Sequence, residues 1–225
     1  MSKKQQYFTD PSDLTKWIKW VLYAQVVIAI IAIISSTISN QLLLDLKNGV
    51  YSSQELACAA CEDDMYRQGI VKLLGIIIFF VSGILILKWI YRANCNARQL
   101  GVSGMKFTPA WSIAWYFIPI ANLWKPYQAM KEIWKTSSNP HSWNSQAVSP
   151  LLPWWWFFWI VSNMFWAASF RLEIRSNKII YEHIAANLVS QLSNLTDILL
   201  SLLVIGIIRK IHEMQMSHAK AVGKI

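Results

Sequence analysis

The chain has 225 residues, 55% of them apolar and 13 of them Trp. Only 15% are charged, against about 25% in an ordinary soluble domain. The net charge of +9 would suit nucleic acid, but the basic residues are spaced by four long apolar runs, so membrane topology explains them and nucleic-acid binding is set aside.

A bilayer asks for runs of this length, because about 20 residues rising ~1.5 Å each cover a hydrocarbon layer of roughly 30 Å. Residues 1–15 read as a short, mobile polar tail. The first run is 17–38, where Lys16 and Lys19 can snorkel beside Trp17 and Trp20. It is too long for a signal-peptide core and has no small-residue cleavage site, so it is expected to be retained. A polar segment, 39–68, follows with Asp45, Glu55, Glu62, Asp63, Asp64, Cys58 and Cys61. The second run is 71–90, flanked by Lys72 and Lys88, and leads into a long basic segment. The third run, 151–170, opens on Trp154, Trp155, Trp156, Phe157, Phe158 and Trp159, an interfacial aromatic girdle. The fourth, 188–208, is closed by Arg209 and Lys210, and residues 217–225 form a second tail.

Lipid offers no solvent for unpaired backbone groups, so all four runs are predicted to be helices. The expected class is an all-α membrane protein, with one membrane domain over 16–216. It has four transmembrane helices plus a cytoplasmic interfacial amphipathic helix within 107–136. With four spans, 15 Lys and Arg fall on the side of the termini and the middle segment. Six fall on the other side: Lys47, Arg67, Lys72, Arg171, Arg175 and Lys178. The positive-inside rule then puts both termini and the middle segment in the cytoplasm.

Residues 110–121 are a rival fifth span. Twelve residues make only about 18 Å of helix. Stretching the span to 107–127 buries Lys125 and three prolines, and cuts the charge split to 11 against 9. The stretch is therefore expected to dip into the cytoplasmic interface. From Pro126 to Lys135 the pattern is amphipathic. Pro126, Tyr127, Ala129, Met130, Ile133 and Trp134 fill one arc of about 160°, and Gln128, Lys131, Glu132 and Lys135 the other. Pro126 suits the first position of this helix. Such a helix either packs under the bundle or offers a surface to anionic lipid headgroups or a partner.

The run Trp115-Tyr116-Phe117-Ile118-Pro119, then Asn122-Leu123-Trp124-Lys125-Pro126-Tyr127, then Glu132-Ile133-Trp134 resembles the signature of the bacterial domain-of-unknown-function family 4328. Arg92 with Asn96-Ala97-Arg98, Trp155-Trp156 with Ser162-Asn163, and Ile208-Arg209-Lys210-Ile211 with Gln215 are similar too. The resemblance covers roughly residues 70–216. It implies a multi-pass bacterial membrane protein, and it supplies no activity, substrate or catalytic residue.

Polar groups inside the runs are expensive. An ionised Asp at the bilayer centre costs at least about 2.5–3.5 kcal/mol, and Asp197 falls near the middle of the fourth run. Ser190, Asn194, Asp197 and Ser201 recur at helical spacing, so they share one inward face. Ser162 or Asn163 lies at a matching depth, about 18 Å from the cytoplasmic end, and is the expected partner of Asp197. Gln25 also lies near mid-membrane. This cluster reads either as a polar clasp between helices or as a pathway for a proton, ion or small solute.

Cys58 and Cys61 form a C-x-x-C pair in the expected outer loop, where a local disulfide is the simplest outcome. Metal binding with Glu62, Asp63 and Asp64 lacks a second Cys or His pair. His141, His183, His212 and His218 show no metal or triad spacing, and no phosphate loop, nucleophile elbow or dinucleotide fingerprint occurs. The expected role is non-enzymatic and cofactor-free: an accessory, sensor or structural subunit that touches lipid, a membrane protein partner or itself. The alternative is a small transporter or channel subunit around Asp197.

Overall fold

The computed structural model describes residues 7–174 and 180–225, and these form helices and turns with no strand. Six α-helices follow in order: α1 Ser12–Lys47, α2 Gln54–Gln99, α3 Pro109–Ala114, α4 Lys125–Ser138, α5 Leu151–Ile174 and α6 Ile180–Ala221. Short 3-10 turns occupy Trp115–Phe117, Ala121–Leu123 and Trp143–Ser145.

The helices run well past the apolar runs. The 36, 46 and 42 residues of α1, α2 and α6 make roughly 54, 69 and 63 Å of helix. The expected outer loop of 39–68 is therefore mostly helix, and only residues 48–53 connect α1 to α2. Local chemistry sets these ends. Gly49 adopts φ 68, and the Val50 N–H reaches back to the Asp45 carbonyl at 3.1 Å, a left-handed cap that satisfies end carbonyls. Ser53 Oγ then accepts the Leu56 N–H at 3.3 Å and caps α2. Gly101, at φ 92, closes α2 in the same left-handed way. The expected N-terminal tail is also partly ordered, since α1 starts at Ser12 and Leu14 and Thr15 are buried. The expected C-terminal tail is helical as far as Ala221. Arg175 and Lys178 lie outside the described residues.

The chain divides into two compact units. Unit 1 takes Met1–Val21, Val81–Trp156 and Leu202–Ile225, and unit 2 takes Leu22–Phe80 and Phe157–Ser201. Unit 1 holds the most tightly packed part of the described residues. The largest fully buried side chains, including Ile18, Trp89, Ile133, Leu152 and Ile211, all belong to it. Several buried polar groups there find partners. Gln215 Nε2 donates to the Ala93 carbonyl at 2.9 Å and to Ser137 Oγ at 3.0 Å. Asn96 clasps the Thr9 backbone with two hydrogen bonds, of 3.1 and 2.9 Å.

Unit 2 has the opposite character. Val27, Ile30 and Ile34 of α1, Leu73, Ile77 and Phe79 of α2, and Leu192, Leu195 and Leu199 of α6 are all exposed. A water-soluble protein does not show contiguous apolar surface on this scale. Three helices, α1, α2 and α6, are long and apolar enough to cross a membrane, and only 11% of the most apolar stretch of α2 is buried within the protein. The helix α5 is not among the three. Its five Trp residues lower its hydropathy, because each indole carries a polar N–H.

Candidate functional site

The motif of the middle segment folds around one buried carboxylate. Glu132 of α4 is 6% exposed, and its two oxygens accept the N–H groups of Lys106 at 2.6 Å and Phe107 at 3.0 Å. The Phe107 carbonyl in turn accepts from Asn94 Nδ2 at 3.0 Å and from the Arg98 guanidinium at 2.8 Å. Asn94 also reaches Ser112 Oγ at 2.8 Å. The strand-like stretch before α3 is thus held from both sides by side chains, which satisfies backbone groups that no regular element pairs. Thr108 caps α3 by accepting the Trp111 N–H, and Pro109 opens that helix.

Of the two expected readings, α4 fits packing against protein rather than an open surface for lipid or a partner. Its apolar arc, including Pro126, Ala129, Met130, Ile133 and Trp134, is buried, and so is Glu132 from the polar arc. The apolar surface left open belongs to the segment before α4. Trp111, Phe117, Ile120, Leu123 and Trp124 are 44–72% exposed. Ile120 sits at φ 67, a region that β-branched residues rarely enter, between exposed Pro119 and the turn at Ala121–Leu123. Trp156 Nε1 donates to the Leu123 carbonyl at 3.1 Å, which ties this segment to the first turns of α5. The Tyr127 and Trp156 rings lie 6.1 Å apart.

Three polar atoms of the same segment are buried without a hydrogen-bond partner among the described residues: Trp115 Nε1, the Tyr116 hydroxyl and Asn122 Oδ1. Burial pushes the Tyr116 phenol well above its ordinary value, so it keeps its proton at neutral pH. The Lys125 ammonium lies 5.6 Å from the Trp115 ring centre and 5.9 Å from that of Phe107, within cation–π range.

The second expected site is only partly assembled. Ser162 Oγ donates to Asp197 Oδ1 in a short hydrogen bond, as the matching depths predict. Asn163 does not take part. It is exposed, and its amide donates to the Trp159 carbonyl one turn back. One residue turns a helix by about 100°, so adjacent Ser162 and Asn163 cannot both face Asp197. Asn194 satisfies itself on the Ser190 carbonyl at 2.8 Å. Ser201 is buried, and Gln25 Oε1 is buried without a partner among the described residues. The polar face of α6 does turn inward, with Leu192, Leu195 and Leu199 on the exposed side.

A third polar cluster in unit 2 was not expected. Arg67 pairs with Asp64 one turn before it, and donates to Ser35 Oγ at 3.1 Å and the Ser35 carbonyl at 3.2 Å. Ser39 donates to Asp64 at 2.8 Å, and Asn187 reaches Asn40 at 2.8 Å. These bonds join α1, α2 and α6. A loop reading of Asp64 and Arg67 hides the cluster, although Ser35, in the first apolar run, and Ser39, just beyond it, stand one helical turn apart. Cys58 and Cys61 are free thiols three residues apart near the start of α2, Cys58 exposed and Cys61 half-buried. They sit on a helix rather than in the expected loop. No three His, Cys, Asp or Glu side chains are grouped to hold a metal among the described residues.

The family model described as a domain of unknown function, DUF4328, matches residues 52–213. No curated protein and no solved structure matches the chain.

Proposed function

Because the chain belongs to the DUF4328 family, whose description assigns no activity, we propose from its own geometry that it is a non-enzymatic accessory, sensor or structural subunit of the bacterial plasma membrane. It spans the bilayer four times, with α5 as the additional span. Both termini and the segment 91–150 lie in the cytoplasm, where that segment meets lipid or a membrane partner. One observation carries the reading. Fifteen of the 21 Lys and Arg, but only four of the 12 Asp and Glu, fall in unit 1, and the exposed strip from Trp111 to Trp124 belongs to the same unit. A basic, aromatic-edged surface suits the cytoplasmic leaflet, whose lipids are anionic. The 24 residues of α5 make about 36 Å of helix, enough to cross, and its Trp-rich start suits an interface.

A second reading is supported by the Ser162–Asp197 bond: a small transporter or channel subunit, oligomeric because four helices enclose little space. Asp197→Asn separates the two, since it keeps a hydrogen bond to Ser162 and removes the titratable proton. Interhelical bonds in membranes average about 0.6 kcal/mol, so the melting temperature in detergent should barely move. In liposomes, the accessory reading predicts no proton or ion flux above empty vesicles for either form. Flux through the wild type that disappears in Asp197→Asn would establish the transporter reading instead.

A further inference from the structure

The start of α4 has the makings of an anion site. Its N-cap is Trp124, which brings no side-chain acceptor, so no side chain caps its first-turn N–H groups. The N-terminus of a helix this long carries a partial positive charge, and with Pro126 lacking a donor the N–H groups left free among the described residues are those of Lys125 and Tyr127. Lys125 adds a full charge there, held over the Trp115 and Phe107 rings, and pairs with no carboxylate among the described residues. Three buried polar atoms from the ten residues before it lack partners: Trp115 Nε1, the Tyr116 hydroxyl and Asn122 Oδ1. Buried polar groups are satisfied in nearly all native structures, and three orphans within eight residues of chain point to a missing occupant. Two of the three are donors and suit an anion, and the third accepts.

The same segment identifies the kind of anion. Phe117, Ile120, Leu123 and Trp124 of this segment are exposed. Ile120 sits at φ 67 and ψ −57 in a γ-turn closed by the Ala121 N–H on the Pro119 carbonyl at 2.8 Å, a strain of the kind found at ligand clamps. The Leu123 carbonyl is fixed by the Trp156 indole, in the aromatic girdle that opens α5. Polar groups bordered by apolar side chains at that level match a lipid, whose phosphate and acyl chains meet there.

We propose that Lys125, the α4 N-terminus, Trp115, Tyr116 and Asn122 hold the headgroup of an anionic phospholipid, with its acyl chains along Phe117, Ile120 and Leu123. This rests on the reading that the segment lies at the cytoplasmic membrane face. Phosphate oxygens accept from Lys125, Trp115 and Tyr116. Asn122 Oδ1 accepts from a headgroup hydroxyl, which phosphatidylglycerol has and phosphatidylcholine lacks.

The test is native mass spectrometry of the full chain purified in detergent and titrated separately with phosphatidylglycerol and phosphatidylcholine. Phosphatidylglycerol should be retained at about tenfold lower concentration, because both lipids offer a phosphate but only phosphatidylglycerol adds a hydroxyl for Asn122 and lacks the choline cation that Lys125 repels. Lys125→Gln should abolish the preference and Tyr116→Phe should reduce it. Tyr116→Phe removes one oxygen only, so it tests the site even if Lys125→Gln fails to fold. Equal retention of the two lipids, or a preference that survives both variants, overturns the site. Excess inorganic phosphate should leave the lipid in place, and displacement would assign the site to a free phosphate and overturn the lipid proposal. Impermeant-maleimide labelling of Cys58 in spheroplasts, on the same variants, keeps the two ideas apart. External labelling without lipid preference overturns the site alone, whereas labelling only after permeabilisation overturns the topology beneath it.

Discussion

Glu132→Ala is expected to destabilise unit 1 by about 3–5 kcal/mol, because it strands two buried backbone donors at once. The carboxylate accepts the Lys106 and Phe107 N–H groups at 2.6 and 3.0 Å. A buried donor left without an acceptor costs about 1–3 kcal/mol, and hydrogen bonds to a charged acceptor are the stronger kind. The effect also spreads, since Phe107 is the carbonyl that Asn94 and Arg98 hold. Glu132→Gln should cost less than Ala, because its amide oxygen still accepts one N–H while its NH2 faces the other. The check is thermal unfolding of the detergent-purified chain, followed by monodispersity on size exclusion. An Ala variant that melts with the wild type would mean that the 106–107 backbone finds other partners, and that the motif is not organised around this carboxylate.

Trp89→Ala is expected to cost about 3–5 kcal/mol, as deleting large buried side chains does. Trp89 is 1% exposed, and its indole donates to Thr15 Oγ1 at 3.1 Å. The substitution therefore opens a cavity in unit 1 and unpairs a buried hydroxyl of α1. Trp89→Phe keeps most of the volume and loses only the hydrogen bond, so its loss should be near 1 kcal/mol. Thr15→Val should match the Phe variant rather than the Ala one. If Trp89→Ala and Trp89→Phe melt alike, packing is not the main contribution of this side chain.

These two residues also show where reading the sequence succeeds and where it stops. Three of the four apolar runs fall in helices long and apolar enough to cross a membrane, because membrane thickness imposes a length that composition reveals. The helix ends were not legible, since the runs mark only the apolar part of each helix. The signals were nevertheless present: Gly49 and Gly101 take left-handed caps and Ser53 caps α2. The amphipathic pattern of α4 was legible, but periodicity gives the direction of an apolar arc and not what covers it. Protein covers it here, and Glu132 is buried with it for a reason that lies 25 residues away in the chain. Sequence depth brought Ser162 to Asp197, yet Asn163 was included because depth ignores rotation about the helix axis. The Arg67–Ser35 contact joins residues of two helices, and nothing local to either one announces it.

In the proposed topology the α1–α2 turn and the basic middle segment face opposite sides of a bilayer. Cys58 tests this topology directly, being an exposed free thiol near the start of α2. Spheroplasts expressing a Cys61→Ser form are treated with mild reductant and then with a membrane-impermeant maleimide. A separate form with both Cys58→Ser and Cys61→Ser carries Ser145→Cys, at an exposed position of the middle segment. Cys58 should label in intact spheroplasts, and the thiol at position 145 only after the membrane is permeabilised. Labelling of both before permeabilisation, or of Cys58 only after it, would contradict the account.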